Sequence, residues 1–79
     1  MKLFKEDTLK SAKEMKELNS YLRLGQAVFN ITHDRFPKIA FAIAGTDIDC
    51  FYEDKNIDAF LDKVEQMVLV YDTISAKAI

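Results

Sequence analysis

A single cysteine, Cys50, leaves this 79-residue chain without an internal disulfide. Secreted domains of this size usually need several such staples, so the expected setting is the cytoplasm. One proline and two glycines supply few helix breakers in a chain rich in Ala, Leu, Lys, Glu and Met, which favours helix. No stretch approaches the roughly 18 consecutive apolar residues of a membrane span, and residues 1–16 interrupt their apolar positions with charge too often for a signal-peptide core. No membrane partner is expected.

Basic clusters are also missing. Residues 1–20 carry five Lys against four acids, and residues 21–79 carry six basic side chains against nine acidic ones. Phosphate neutralisation supplies most of the affinity of nucleic-acid binders, and scattered Arg23, Arg35, Lys38, Lys55 and Lys63 make a poor stripe for it. The expectation is no nucleic acid. At 49% hydrophobic and 30% charged the chain is globular in composition, and a domain of this length buries only about 60% of its unfolded surface, which makes a thin core.

Breaks at Asn19-Ser20, His33 to Pro37, Gly45-Thr46 and Asp54 to Asn56 divide residues 1–79, read as a single domain, into four segments. From Asp7 to Leu18, Leu9, Ala12, Met15 and Leu18 share one side while Lys10, Lys13, Glu14 and Glu17 stay wet, with Asp7 or Thr8 as a cap. From Tyr21 to Thr32, Leu24, Val28 and Ile31 form one stripe and Leu22 and Phe29 another, so this element should be central. Pro37 to Ala44 alternates Ile39, Phe41 and Ile43 with alanines; Pro at the first position and Gly45 after the last favour a helix over a strand. From Asn56 to Ile74, Ile57, Phe60, Leu61, Val64, Met67, Val68, Tyr71 and Ile74 follow the helical i, i+3, i+4, i+7 rule. The expected fold is an all-α bundle of three to four helices, with a small α+β arrangement, segments two and three as strands, as the alternative.

No catalytic constellation emerges. His33, the one histidine, reads as a helix-end residue, and Cys50, with no Lys or Arg before Lys55 to activate it, as a small hydrophobe. Acids gather at Asp47, Asp49, Glu53 and Asp54 and on a ridge of the last helix, Asp58, Asp62 and Glu65. A calcium loop counted from Asp47 would need Gly at its sixth position, where Tyr52 stands. These acids either favour the helix N-terminus and solubility or form a surface that docks a basic partner. Phe51 and Tyr52, with Phe36 and Phe41 nearby, either pin the loop to the core or anchor a contact. Leu69 and Val70 lie outside the core face of the last helix, so they are either covered within the chain or meet a homodimer or other partner.

Gly25 in a helical pattern costs about 1 kcal/mol relative to Ala and suggests close approach of another element, flanked by Arg23 and Gln26, which could hydrogen-bond the acidic loop as a structural lock. The run Arg23-Leu24-Gly25-Gln26-Ala27-Val28-Phe29-Asn30 followed by Gly45-Thr46-Asp47-Ile48-Asp49-Cys50-Phe51-Tyr52-Glu53-Asp54 resembles a set of short, uncharacterised proteins encoded by bacteriophages and prophages. The resemblance covers about residues 20–62, with Cys50 where the pattern has proline, and implies a helical accessory protein of a mobile element without assigning functional residues.

The functional expectation is a non-enzymatic protein-interaction module, a phage accessory protein that binds a host protein. Its partner-binding residues are Asp47, Asp49, Phe51, Tyr52, Asp54, Asp58, Asp62 and Glu65, with Leu69 and Val70 as oligomer contacts and no cofactor or metal. Two rivals stand beside it: a DNA-binding regulator that uses segments two and three as a helix-turn-helix, and a metal-dependent enzyme that uses Asp47, Asp49 and Asp58.

Overall fold

Helix begins well before the amphipathic pattern suggests. A computed structural model describes the backbone of residues 2–78 and the side chains of residues 4–70. It places α1 at Lys2–Leu18, α2 at Leu24–Arg35, α3 at Pro37–Ile43 and α4 at Ile57–Ala78, with one 3₁₀ turn, Asp54–Asn56, leading into α4. No strand occurs among the described residues, so the all-α reading holds and the α+β alternative falls.

α1 packs along α2, and α2 also touches α3 and the 3₁₀ turn, while α4 packs on α1 and α3. The core contains Phe4 and Ala12 of α1, Ala27 and Val28 of α2, Ile39 and Ile43 of α3, Cys50 of the loop, and Ile57, Phe60, Leu61, Val64 and Val68 of α4. The periodic face read for the last helix is thus the buried one as far as Val68; Tyr71 and Ile74 lie outside the described side chains. α2 is central as expected, with Leu24, Phe29 and Ile31 packed at the edge of the core.

α1 differs from its expected form in its start and at the ends of its face: Leu9, Ala12 and Met15 pack on the core as expected, whereas Leu18 does not. Asp7 and Thr8 are not caps but interior helical residues, and the buried series is Phe4, Thr8, Ala12, while Leu18 is 86% exposed. The cause is tertiary. The Phe4 ring meets Phe36 edge-on at 5.5 Å, and the Arg35 guanidinium stands 5.0 Å from the Phe4 ring centre, so burial of Phe4 extends the helix towards its N-terminus through a charged stretch.

α2 starts at Leu24, so Tyr21 and Leu22 belong to the turn before it, and it runs past Thr32 to Arg35. Pro37 opens α3 at a position where its missing N–H costs nothing. α3 ends at Ile43, and Gly45 follows at φ +79°, the left-handed conformation that glycine adopts without a Cβ penalty. The chain then enters the irregular segment 44–53 that carries most of the candidate residues.

A locked acidic loop as the candidate interaction site

Ten residues without regular structure would leave many backbone groups unpaired, and here side chains satisfy them. Asp49 does most of this. Its buried carboxylate accepts the Gly45 N–H at 2.7 Å through Oδ2 and the Phe51 N–H at 2.8 Å through Oδ1, the local pattern that makes Asp a turn former. Asn56 closes the loop from the other side: its Nδ2 donates to the carbonyls of Asp47 and Asp49, each at 3.0 Å. Thr46 Oγ1 donates to the Ile43 carbonyl at 2.6 Å and fastens the start of the loop to the end of α3.

The loop is then bound to α2. Arg23 is the residue that precedes the first turn of α2, and an arginine side chain has no acceptor with which to cap a helix. Asp54 supplies the missing carboxylate: its Oδ1 accepts the Gly25 N–H at 3.0 Å and lies 3.5 Å from Arg23 Nη1. Arg23 Nη2 donates to the Phe51 carbonyl at 2.6 Å. Gln26 Oε1 accepts the Arg23 backbone N–H at 3.0 Å, so Gln26 closes its own helix end rather than reaching the loop.

Close approach at Gly25 makes this geometry fit. A Cβ there would overlap the Cys50 carbonyl oxygen and come within 2.7 Å of Asp54 Oδ1. On the same spot Cys50 Sγ donates to the Gly25 carbonyl at 3.4 Å. Burial, with the charges of Asp49 and Asp54 adding to it, pushes the Cys50 thiol up to about 12. Cys50 is therefore neutral at pH 7 and serves as a packed, weakly hydrogen-bonded wedge.

The expected partner-binding set divides in this arrangement. Asp49 is buried and turned inward, and Asp54 is occupied at the end of α2. Asp47 and Tyr52 are exposed, Tyr52 at 74%, as is Glu53 beside it, and Phe51 is half-buried. Asp58 and Asp62 are exposed, but Lys5 of α1 bridges them, Nζ lying 3.4 Å from Asp58 Oδ1 and 3.0 Å from Asp62 Oδ1. These partners hold the Lys5 pKa above its ordinary value, the hydrogen bond to Asp62 contributing most. Glu65 is half-buried, with Oε1 unpaired, and Thr8 Oγ1 is the other buried side-chain atom without a partner among the described residues.

Leu69 and Val70 are each 52% exposed. His33 lies on the surface of the last turn of α2, its ring stacked against Phe29 at 6.2 Å. Of the other aromatics, Phe36 packs against the core and Phe41 is 79% exposed. No group of three or more His, Cys, Asp or Glu side chains is placed to hold a metal among the described residues. No described helix is long and apolar enough to cross a membrane.

Phe29, Ala44, Gly45, Asp49, Phe51 and Tyr52 line an open depression beside the loop. Phe29 packs on the core edge and Gly45 forms the turn, as their sequence positions suggest, and both also border this depression because the single-residue link between α2 and α3 returns the chain from Ile43 onwards to the flank of α2. No family model, curated protein or solved structure matches the chain, so the functional reading rests on this geometry.

Proposed function

We propose that this chain is a non-enzymatic interaction module that docks on a basic surface of a partner protein through the loop at residues 45–54, with the start of α4 as its margin. The observation that carries the reading is the contrast within the loop. Its backbone is fixed from inside by Asp49, Asn56, Arg23 and Asp54, yet it holds Tyr52 outward between exposed acids. A preordered loop loses little entropy on binding, and an exposed tyrosine is a common interface anchor. Complementary charge would speed the encounter and weaken with salt.

The resemblance to phage-encoded proteins supports a host protein in the host cytoplasm as the partner. A protein partner is favoured over DNA because α3, the segment that a helix-turn-helix reading needs for recognition, carries Lys38 as its sole base and presents Phe41 to the surface. The test is affinity capture with the tagged full-length chain beside two folded variants, Asp47→Lys/Glu53→Lys in the loop and Asp58→Lys/Asp62→Lys on the ridge. A partner retained by the parent and lost from the loop variant supports the reading. A partner retained equally by both variants places the contact elsewhere and overturns it.

A further inference from the structure

We propose that the depression beside the loop is a cation-binding cage that takes the ammonium or guanidinium head of a lysine or arginine side chain. The inference rests on the docking role proposed above and names the chemistry of its anchor. Three aromatic side chains line the depression. Phe29 and Phe51 stand 5.5 Å apart at 80°, and Phe51 and Tyr52 stand 4.8 Å apart at 72°. Edge-to-face rings at these separations touch one another, so a compact charged head would sit against the exposed side of the cluster, where Tyr52 is 74% exposed, and be attracted there by the ring quadrupole.

The fourth wall carries charge. Asp49 is buried, and each of its oxygens accepts one backbone N–H, yet no ion pair joins it to a cation among the described residues. A buried carboxylate without a counter-charge is expensive unless amide donors stabilise it, as they do here, and it still favours a cation arriving in the depression. The loop's own charge has the same sign: residues 45–54 contain Asp47, Asp49, Glu53 and Asp54, and Lys55 is the first basic residue after them. Arg23, which reaches the loop, is engaged by the Phe51 carbonyl and Asp54, and His33 stacks on Phe29 at 6.2 Å. Charge and aromatic surface thus point to the same class of occupant.

The experiment is an amide NMR titration of the full-length protein at neutral pH with three probes: N-acetyl-lysine methylamide, its trimethyllysine form, and the neutral N-acetyl-norleucine methylamide. Both cationic probes should shift the Gly45, Phe51 and Tyr52 amides with Kd values on the order of millimolar, and norleucine should not. Tyr52→Ala removes an exposed wall without touching the core and should weaken the cationic probes about three- to tenfold, while Tyr52→Phe, which keeps the ring, retains them. Equal shifts from norleucine overturn the cage, since the depression is then a plain apolar site, and leave the loop as a docking face. Absence of shifts from all three probes also overturns the cage, while the docking reading is decided separately by the charge-reversal capture.

Discussion

The Asp54 carboxylate accepts the Gly25 N–H at 3.0 Å, so the N-terminus of α2 is capped by a residue 29 positions further along the chain. Helix caps usually come from the residue just before the first turn. Here that residue is Arg23, which cannot accept, and its guanidinium instead binds the Phe51 carbonyl at 2.6 Å. The cap and the lock on the loop are the same set of contacts, and stability and loop shape are therefore coupled.

Gly25→Ala tests that coupling with opposing effects. Helix propensity alone predicts a gain of about 1 kcal/mol, but the new Cβ would overlap the Cys50 carbonyl. Because that neighbour is backbone, the loop must move and its contacts with Arg23 and Asp54 loosen. The expected net result is a loss of roughly 2 kcal/mol or more, measured by urea denaturation, with chemical-shift changes concentrated at residues 50–54. A gain in stability would show that the loop can withdraw freely.

Asp54→Ala should cost about 1 kcal/mol, the usual value of a lost helix cap. Asp54→Asn keeps an acceptor oxygen for the Gly25 N–H and should recover most of that loss, because the accompanying pair with Arg23 is 3.5 Å long and about half exposed. Equal losses in the two variants would transfer the weight from the cap to the charge.

Cys50 makes a prediction about alkaline pH. Its folded pKa is raised to about 12, above that of the unfolded thiol, so the stabilisation is fully present below about pH 9 and is lost as pH rises towards 12. Denaturation midpoints at pH 7, 9 and 10.5 should decline more steeply for the parent than for Cys50→Ser, which keeps a small donor but does not titrate in this range. Parallel declines would exclude Cys50 as the source. The same burial predicts slow alkylation of the native thiol at pH 7.5, accelerated by urea.

Thr8 is buried in α1 with no partner for Oγ1. Thr8→Val preserves the β-branched shape and removes the unpaired hydroxyl, so the chain should be stabilised by about 1 kcal/mol, read as a raised Tm in a thermal melt. A loss of stability would mean that the hydroxyl is hydrogen-bonded in solution.

Local pattern was enough for much of this molecule. The apolar face of α4 up to Val68, the entry into α3 at Pro37 and its exit at Gly45 all follow from helical period and from the conformational limits of proline and glycine. The sequence also suggested that Gly25 marks close approach and that Arg23 reaches the acidic loop; both contacts occur, with Gln26 turned back to its own helix. Such features are legible because they depend on residues a few positions apart, or on a residue whose presence is costly without a reason.

Other features depended on partners distant in sequence, and only the tertiary structure decided them. Phe4 looks like one apolar residue among charges until Phe36 and Arg35 close over it, and their contact sets the start of α1 and extends its buried face beyond Leu9, Ala12 and Met15. Asp47, Asp49 and Asp54 look alike as loop acids, yet one is exposed, one is buried on two backbone amides and one caps α2. Asp58 and Asp62 form an unpaired acidic ridge in the sequence, but Lys5 spans them in the fold. Sequence determined which residues carry charge and where helices can run; folding decided which charges the chain uses for itself and which it leaves on the surface, because that choice is made by distances between segments that no local period encodes.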